Sequence, residues 1–151
     1  MAPLKERLRA DLTAAMKARD ELRTSTLRMA LASLSTAEVA GTQARELDEP
    51  GVLAVLTKEA KKRREAEAAY EQAGRLELAA KERAEAAVLA GYLPAPLTAE
   101  ELAALVAEGI AATGAEGPRG IGAVMKAVQP RVAGRVDGAV VAAEVRRQLG
   151  S

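Results

Sequence analysis

Leu4, Leu8, Leu12 and Met16 recur at every fourth position of a charged opening segment. That spacing predicts one apolar stripe on a helix from about Pro3 to Arg19. Asp20 is placed to cap a second helix whose stripe is Leu27, Ala30, Leu31 and Leu34, with its end near Gly41. A polar, acidic connection follows to Gly51. Asp48-Glu49-Pro50 has the carboxylates and early proline of a helix first turn, and the pattern stays helical from Val52 through Ala73. Gly74 interrupts it. A fourth helix is predicted from about Arg75 to Ala90, with Gly91 in position for its C′ residue.

Tyr92-Leu93-Pro94-Ala95-Pro96 cannot continue that helix, because each proline lacks a donor and disfavours αR in the residue before it. This segment is read as a hinge dividing residues 1–93, an N-terminal helical domain, from 94–151, a small three-helix module. Thr98 and Glu101 have capping-box spacing and begin a fifth helix lasting to about Ala112. After a break at Gly114 to Gly117, Pro118 suits the first turn of a sixth helix with the stripe Ile121, Val124, Met125 and Val128, ended by Pro130. Asp137 caps a seventh, with Val141, Val145 and Leu149 facing inward. The expected fold class is all-α: N-terminal helical hairpins, then the three-helix module.

Composition strengthens this reading. Of the 151 residues about half are apolar, yet aromatics amount to two Tyr, with no Phe and no Trp. Alanine takes up roughly a quarter of the chain, several times its usual share. Such a composition favours helices over strands. The chain has no Cys and no His, so it offers no disulfide, no thiolate nucleophile, no Cys/His zinc site and no imidazole base. It has no Asn either, hence no N-glycosylation acceptor. The opening MAPLKERLRADL lacks the apolar stretch of a signal peptide, and no run approaches the ~18 apolar residues of a membrane span. A cytoplasmic protein without a membrane partner is expected.

The net charge is only +1, but it is uneven: residues 1–34 carry +3, 35–57 carry −3, 92–118 carry −4 and 119–151 carry +4. The densest run is Lys58-Glu59-Ala60-Lys61-Lys62-Arg63-Arg64. At about 100° per residue, Lys58, Lys61, Lys62 and Arg64 fall away from Val52, Leu56 and Ala60. They form either a solvated helix face or a phosphate-binding patch. Arg63 points to the apolar side, flanked by Glu59 and Glu67, and is expected to be salt-bridged at the edge of the core. A second basic set is Arg119, Lys126, Arg131 and Arg135, with Arg146 and Arg147 near the end. Gly120-Ile121-Gly122 has neither the strand nor the spacing of a nucleotide loop. Glu82/Glu85 and Glu100/Glu101 are expected to be caps and exposed helix charges rather than a catalytic pair. Ser25 and Ser33 lie within a predicted helix and have no obvious base. The two tyrosines are too few for a base-stacking platform, so any nucleic acid would be held by shape and phosphates.

Three ordered blocks resemble a known family. The first is Lys58-Glu59, Lys62-Arg63-Arg64-Glu65, Tyr70, Ala73, Arg75 to Ala79, Glu82 and Glu85. The second is Tyr92-Leu93-Pro94, Leu97-Thr98 and Glu101-Leu102. The third is Gly122 to Lys126, Pro130, Gly134-Arg135 and Asp137-Gly138. Together they resemble the stand-alone members of the GatB/YqeY family, over nearly the whole chain. The resemblance implies kinship to the tail domain of the glutamine-dependent tRNA amidotransferase B subunit, which contacts the tRNA body. It also implies an association with carbon–nitrogen ligase activity, glutamine being the amido donor. A similar appended module assists tRNA binding in some glutaminyl-tRNA synthetases. The residues argue against catalysis by this chain alone, since amidotransfer needs ATP-dependent activation and an ammonia source. The expectation is a non-catalytic accessory protein without cofactor or metal, docking tRNA or another structured RNA on Lys58, Lys61, Lys62, Arg64, Arg119, Lys126, Arg131 and Arg135. The alternative is a module that recruits an aminoacylation or amidotransferase enzyme. A third reading is a subunit with ligase activity only in a complex.

Overall fold

The structure is a computed structural model that describes residues 2–132 and 135–150. It divides into two compact units, Met1–Leu93 and Pro94–Ser151. The described residues are all-helical, with seven α-helices, one 3-10 turn and no strand.

The first unit holds α1 (Pro3–Lys17), α2 (Glu21–Glu38), α3 (Glu49–Gln72) and α4 (Leu76–Ala90). Asp20 caps α2 by accepting from Arg23 N at 3.0 Å, and Asp48 caps α3 by accepting from Gly51 N at 2.9 Å. Gly74, at φ +74°, makes the turn between α3 and α4. Leu8, Leu27, Ala30, Leu34, Val52, Leu56, Ala60 and Leu89 are fully buried in one core, joined by Ala2, Ala15 and Tyr92.

Several boundaries differ from the sequence reading. Met16 is 49% exposed, while Lys5 and Ala15 are buried in its stead. Lys5 and Met16 lie within about 20° of each other around the helix, so the difference is one of position along the axis: Met16 sits in the last turn of α1, next to its end at Lys17. α2 ends at Glu38, before Gly41, where the connection folds back: Arg45 N donates to the Glu38 carbonyl at 2.9 Å and Leu47 N to Glu38 Oε2 at 2.9 Å. Gly91 is right-handed at φ −64°, not a left-handed C′ residue, and α4 leaves through successive i→i−3 bonds at residues 91–93.

The second unit holds α5 (Ala99–Thr113), a 3-10 turn (Pro118–Gly120), α6 (Ile121–Val132) and α7 (Gly138–Leu149), the three helices packing pairwise. The Thr98/Glu101 capping box is present, and Asp137 accepts from Ala139 N at 3.1 Å. Leu102, Val106, Val124, Val128, Val132, Val141 and Val145 form its own core. Pro130 does not end α6 but sits inside its last turn. There it forfeits a single backbone bond, a loss that burial of Val132, two residues on, offsets. Gly134, in the third family block, lies outside the described residues.

Candidate nucleic-acid interface

On α3 the buried face consists of Val52, Leu56, Glu59 and Ala60, and Lys58, Lys61, Lys62 and Arg64 are all exposed. Their exposure follows from the helical period. Their electrostatic situations differ. Lys62 pairs with Glu59 at 3.4 Å, whereas Lys58 and Arg64 make no ion pair among the described residues. Lys61 points directly opposite the buried stripe.

Arg63 is salt-bridged at the core edge, as its face predicts, but its partners come from the neighbouring helix. It lies 3.3 Å from Glu82 and 3.5 Å from Glu85, both on α4. The flanking carboxylates are used otherwise: Glu59 accepts from Ser33 Oγ at 2.9 Å, and Glu67 accepts from Arg83 Nε at 2.6 Å. Glu82 and Glu85 are therefore not exposed helix charges, and Ser33 has a carboxylate partner after all. The outer half of the α3–α4 hairpin is joined by this charged seam, extended by Arg83 to Glu71 at 2.7 Å, where alanines supply little apolar area. The seam leaves Arg63 Nε and Glu82 Oε2 buried without a hydrogen-bond partner.

In the second unit Arg119 sits on the 3-10 turn and Lys126 on α6, both exposed and without an ion pair among the described residues. Arg131 is bound to Glu108 at 2.5 Å. Arg135 donates from Nε to the Ala95 carbonyl at 3.1 Å and lies 3.8 Å from Glu101. Both have structural duties, tying α6 and the turn after it to α5 and to the segment before it. Arg147 is taken by Glu144 at 2.6 Å, and with Gln148 it holds that carboxyl down at about 2. The eight candidates thus fall into two units, and four of them, two in each, make no ion pair among the described residues.

The sequence marked Tyr92 as an isolated ring at the start of the Tyr92-Leu93-Pro94 block but assigned it no partner. It is 6% exposed, donates to Asp11 Oδ2 at 2.5 Å, accepts from Arg23 at 3.1 Å and lies under the Arg7 guanidinium at 4.6 Å. It fastens the end of the first unit to α1 and α2. The pairing of an aromatic with Pro94 two residues later was the available signal for an anchored chain end.

Among the described residues no group of three or more acidic, His or Cys side chains could hold a metal ion, and no helix is long and apolar enough to cross a membrane. Fold and charge define a class: a two-unit protein whose described residues are all-helical and expose four cations that make no ion pair among them. The chain belongs to the YqeY-like family, whose model, described as Yqey-like protein, matches residues 5–149. No curated protein matches it.

Proposed function

We propose that this member of the YqeY-like family is an accessory protein that binds structured RNA, tRNA foremost, through backbone phosphates and without catalysing a reaction alone. The observation that supports this reading is the unequal use of charge. Lys62, Arg131, Arg135 and Arg147 are spent on neighbouring carboxylates or carbonyls, while Lys58, Arg64, Arg119 and Lys126 are exposed and make no ion pair among the described residues. Unpaired surface cations gain most from phosphate, because each can release a condensed counterion without first breaking an internal pair. Kinship with the amidotransferase tail, the resemblance set out above, makes tRNA the first RNA to test.

The test is a tRNA titration at several salt concentrations. Four engaged cations give a log–log slope of about −3. Lys58→Glu with Arg64→Glu is expected to weaken all tRNAs alike and to flatten the slope by about two contacts, as is Arg119→Glu with Lys126→Glu. Absence of binding at low salt, or binding indifferent to salt, defeats the proposal.

A further inference from the structure

A second basic feature lies away from α3, in an open groove of about 490 Å3 between α1, the end of α2 and the connection that follows it. Its floor is an ion pair between a buried lysine and a half-buried carboxylate. Lys5 Nζ donates to both Glu38 oxygens, at 2.8 and 2.9 Å, and the two side chains are 6% and 15% exposed. Burying such a pair costs desolvation that its attraction only partly returns, so stability alone is a weak reason for it. Its geometric consequence is clearer. Glu38 also accepts from Leu47 N with its carboxylate and from Arg45 N with its carbonyl, both at 2.9 Å. One residue therefore fastens a polar connection, which has only Leu47 in the core, onto the last turn of α2.

The fastened connection sets Arg45 on the rim of the groove that Arg9 of α1 also lines. Neither guanidinium makes an ion pair among the described residues, and the Ser35 hydroxyl beside them makes no hydrogen bond there. The Glu38 charge is answered chiefly by Lys5 and only at longer range by Arg9, and Glu46, the other carboxylate of the groove, has a partner of its own. What the rim offers is two planar donor forks and a hydroxyl lining one open space larger than a simple ion. Two guanidiniums suit a tetrahedral phosphate group, whose two or three non-ester oxygens can accept from both forks, better than a carboxylate, which one fork satisfies. We propose that this groove is a phosphate-group subsite, in which Arg9 and Arg45 hold the phosphate oxygens of a phosphomonoester or phosphodiester and Ser35 adds a hydrogen bond. Val39, 64% exposed on the same rim, gives the organic part of the ligand an apolar surface.

The proposal is independent of RNA docking on α3, since no residue is shared. Backbone amide spectra of the 15N-labelled full chain, recorded at constant ionic strength, test it with inorganic phosphate, a nucleoside 5′-monophosphate and tRNA. Saturable shifts are expected at the amides of Ser35, Val39, Ala44 and Arg45. Arg9→Gln and Arg45→Gln, both at exposed positions, are each expected to weaken that response about tenfold. Lys58→Glu with Arg64→Glu leaves the phosphate response intact, which separates a failed groove from a failed α3 surface. Saturation by the mononucleotide assigns the site to free nucleotides. Groove shifts with tRNA alone, still sensitive to the two arginine variants, assign it to a polymer phosphodiester. No saturable groove shift with any of the three, equal shifts with sodium chloride, or shifts indifferent to both variants overturn the proposal.

Discussion

Among the cations of α3, neighbours one turn apart have opposite tolerance to charge reversal. Lys58→Glu changes an exposed side chain that makes no ion pair among the described residues. Lys62→Glu sets a second carboxylate beside the buried Glu59, which already bonds Ser33. Thermal melts are expected to leave Lys58→Glu unchanged and to lower Lys62→Glu by up to about 1 kcal/mol, given that Lys62 itself is half exposed. Arg63→Ala is the severe case, at about 3 kcal/mol, because Glu82 then loses its partner in the seam beside Glu85, which keeps only the more exposed Lys81 at 3.9 Å. Equal melting of the Lys58 and Lys62 variants would refute this division. The outward direction of these side chains was legible, since it follows from helical period alone. Which of them retain free charge was not, because Glu82 and Glu85 are about twenty residues away and reach Arg63 only when α4 folds back.

Between elements, α5 and α6 approach closely at Gly109. A Cβ on Gly109 would lie 2.7 Å from Val128 Cγ2, and both positions are buried. Gly109 is thus kept for packing, as its helical backbone needs no left-handed freedom. Gly109→Ala gains about 1 kcal/mol in helix propensity, but overpacking against a stiff β-branched neighbour costs about 1–3 kcal/mol. A net loss of about 1 kcal/mol is expected in denaturant unfolding. In a Val128→Ala background the added methyl enters vacated space, so the same change there should be neutral or stabilising. Additive losses in that double-mutant cycle would show that the crossing is not what Gly109 serves. The helices themselves were readable from stripes, caps and prolines. Their ends shifted where a partner element intervened, as at Glu38, where the connection folds back, and at Pro130, where packing carries α6 onward.

For the whole molecule, two separate cores mean two sets of titrating contacts. Burial first, then the hydrogen bond to Asp11, pushes the Tyr92 hydroxyl up to about 12 from its ordinary 10. The folded state therefore holds that proton more tightly. Its contribution is complete below pH 10 and is lost as pH rises through 12. In the second unit Glu144 is lowered from 4.5 to about 2, first by its bond from Arg147 and then by Gln148. That contribution is complete above pH 4.5 and fades as pH falls through 2. Lys5, followed by Leu47 N, lowers Glu38 as well, so the first unit also weakens in acid. Melts across pH are expected to show an alkaline limb that Tyr92→Phe removes, and an acid limb that Glu144→Gln makes shallower without touching the alkaline one. An alkaline limb that survives Tyr92→Phe would place it elsewhere.

Local rules were enough for the all-helical class, for the Asp20, Asp48, Thr98 and Asp137 caps, and for the turn at Gly74. Helical period, side-chain caps and backbone freedom depend on residues within one or two turns, so a single strand of sequence carries them. The valine stripes of α6 and α7 belong to the same level, because each faces a core whatever helix supplies its other side. Long-range pairing was decided only by tertiary structure: Arg63 with Glu82 and Glu85, Lys5 with Glu38, Tyr92 with Asp11, and hence the groove beside Arg9 and Arg45. A charged side chain of ordinary length reaches several carboxylates in sequence space. Which one it meets is set by helix crossings that no local pattern encodes.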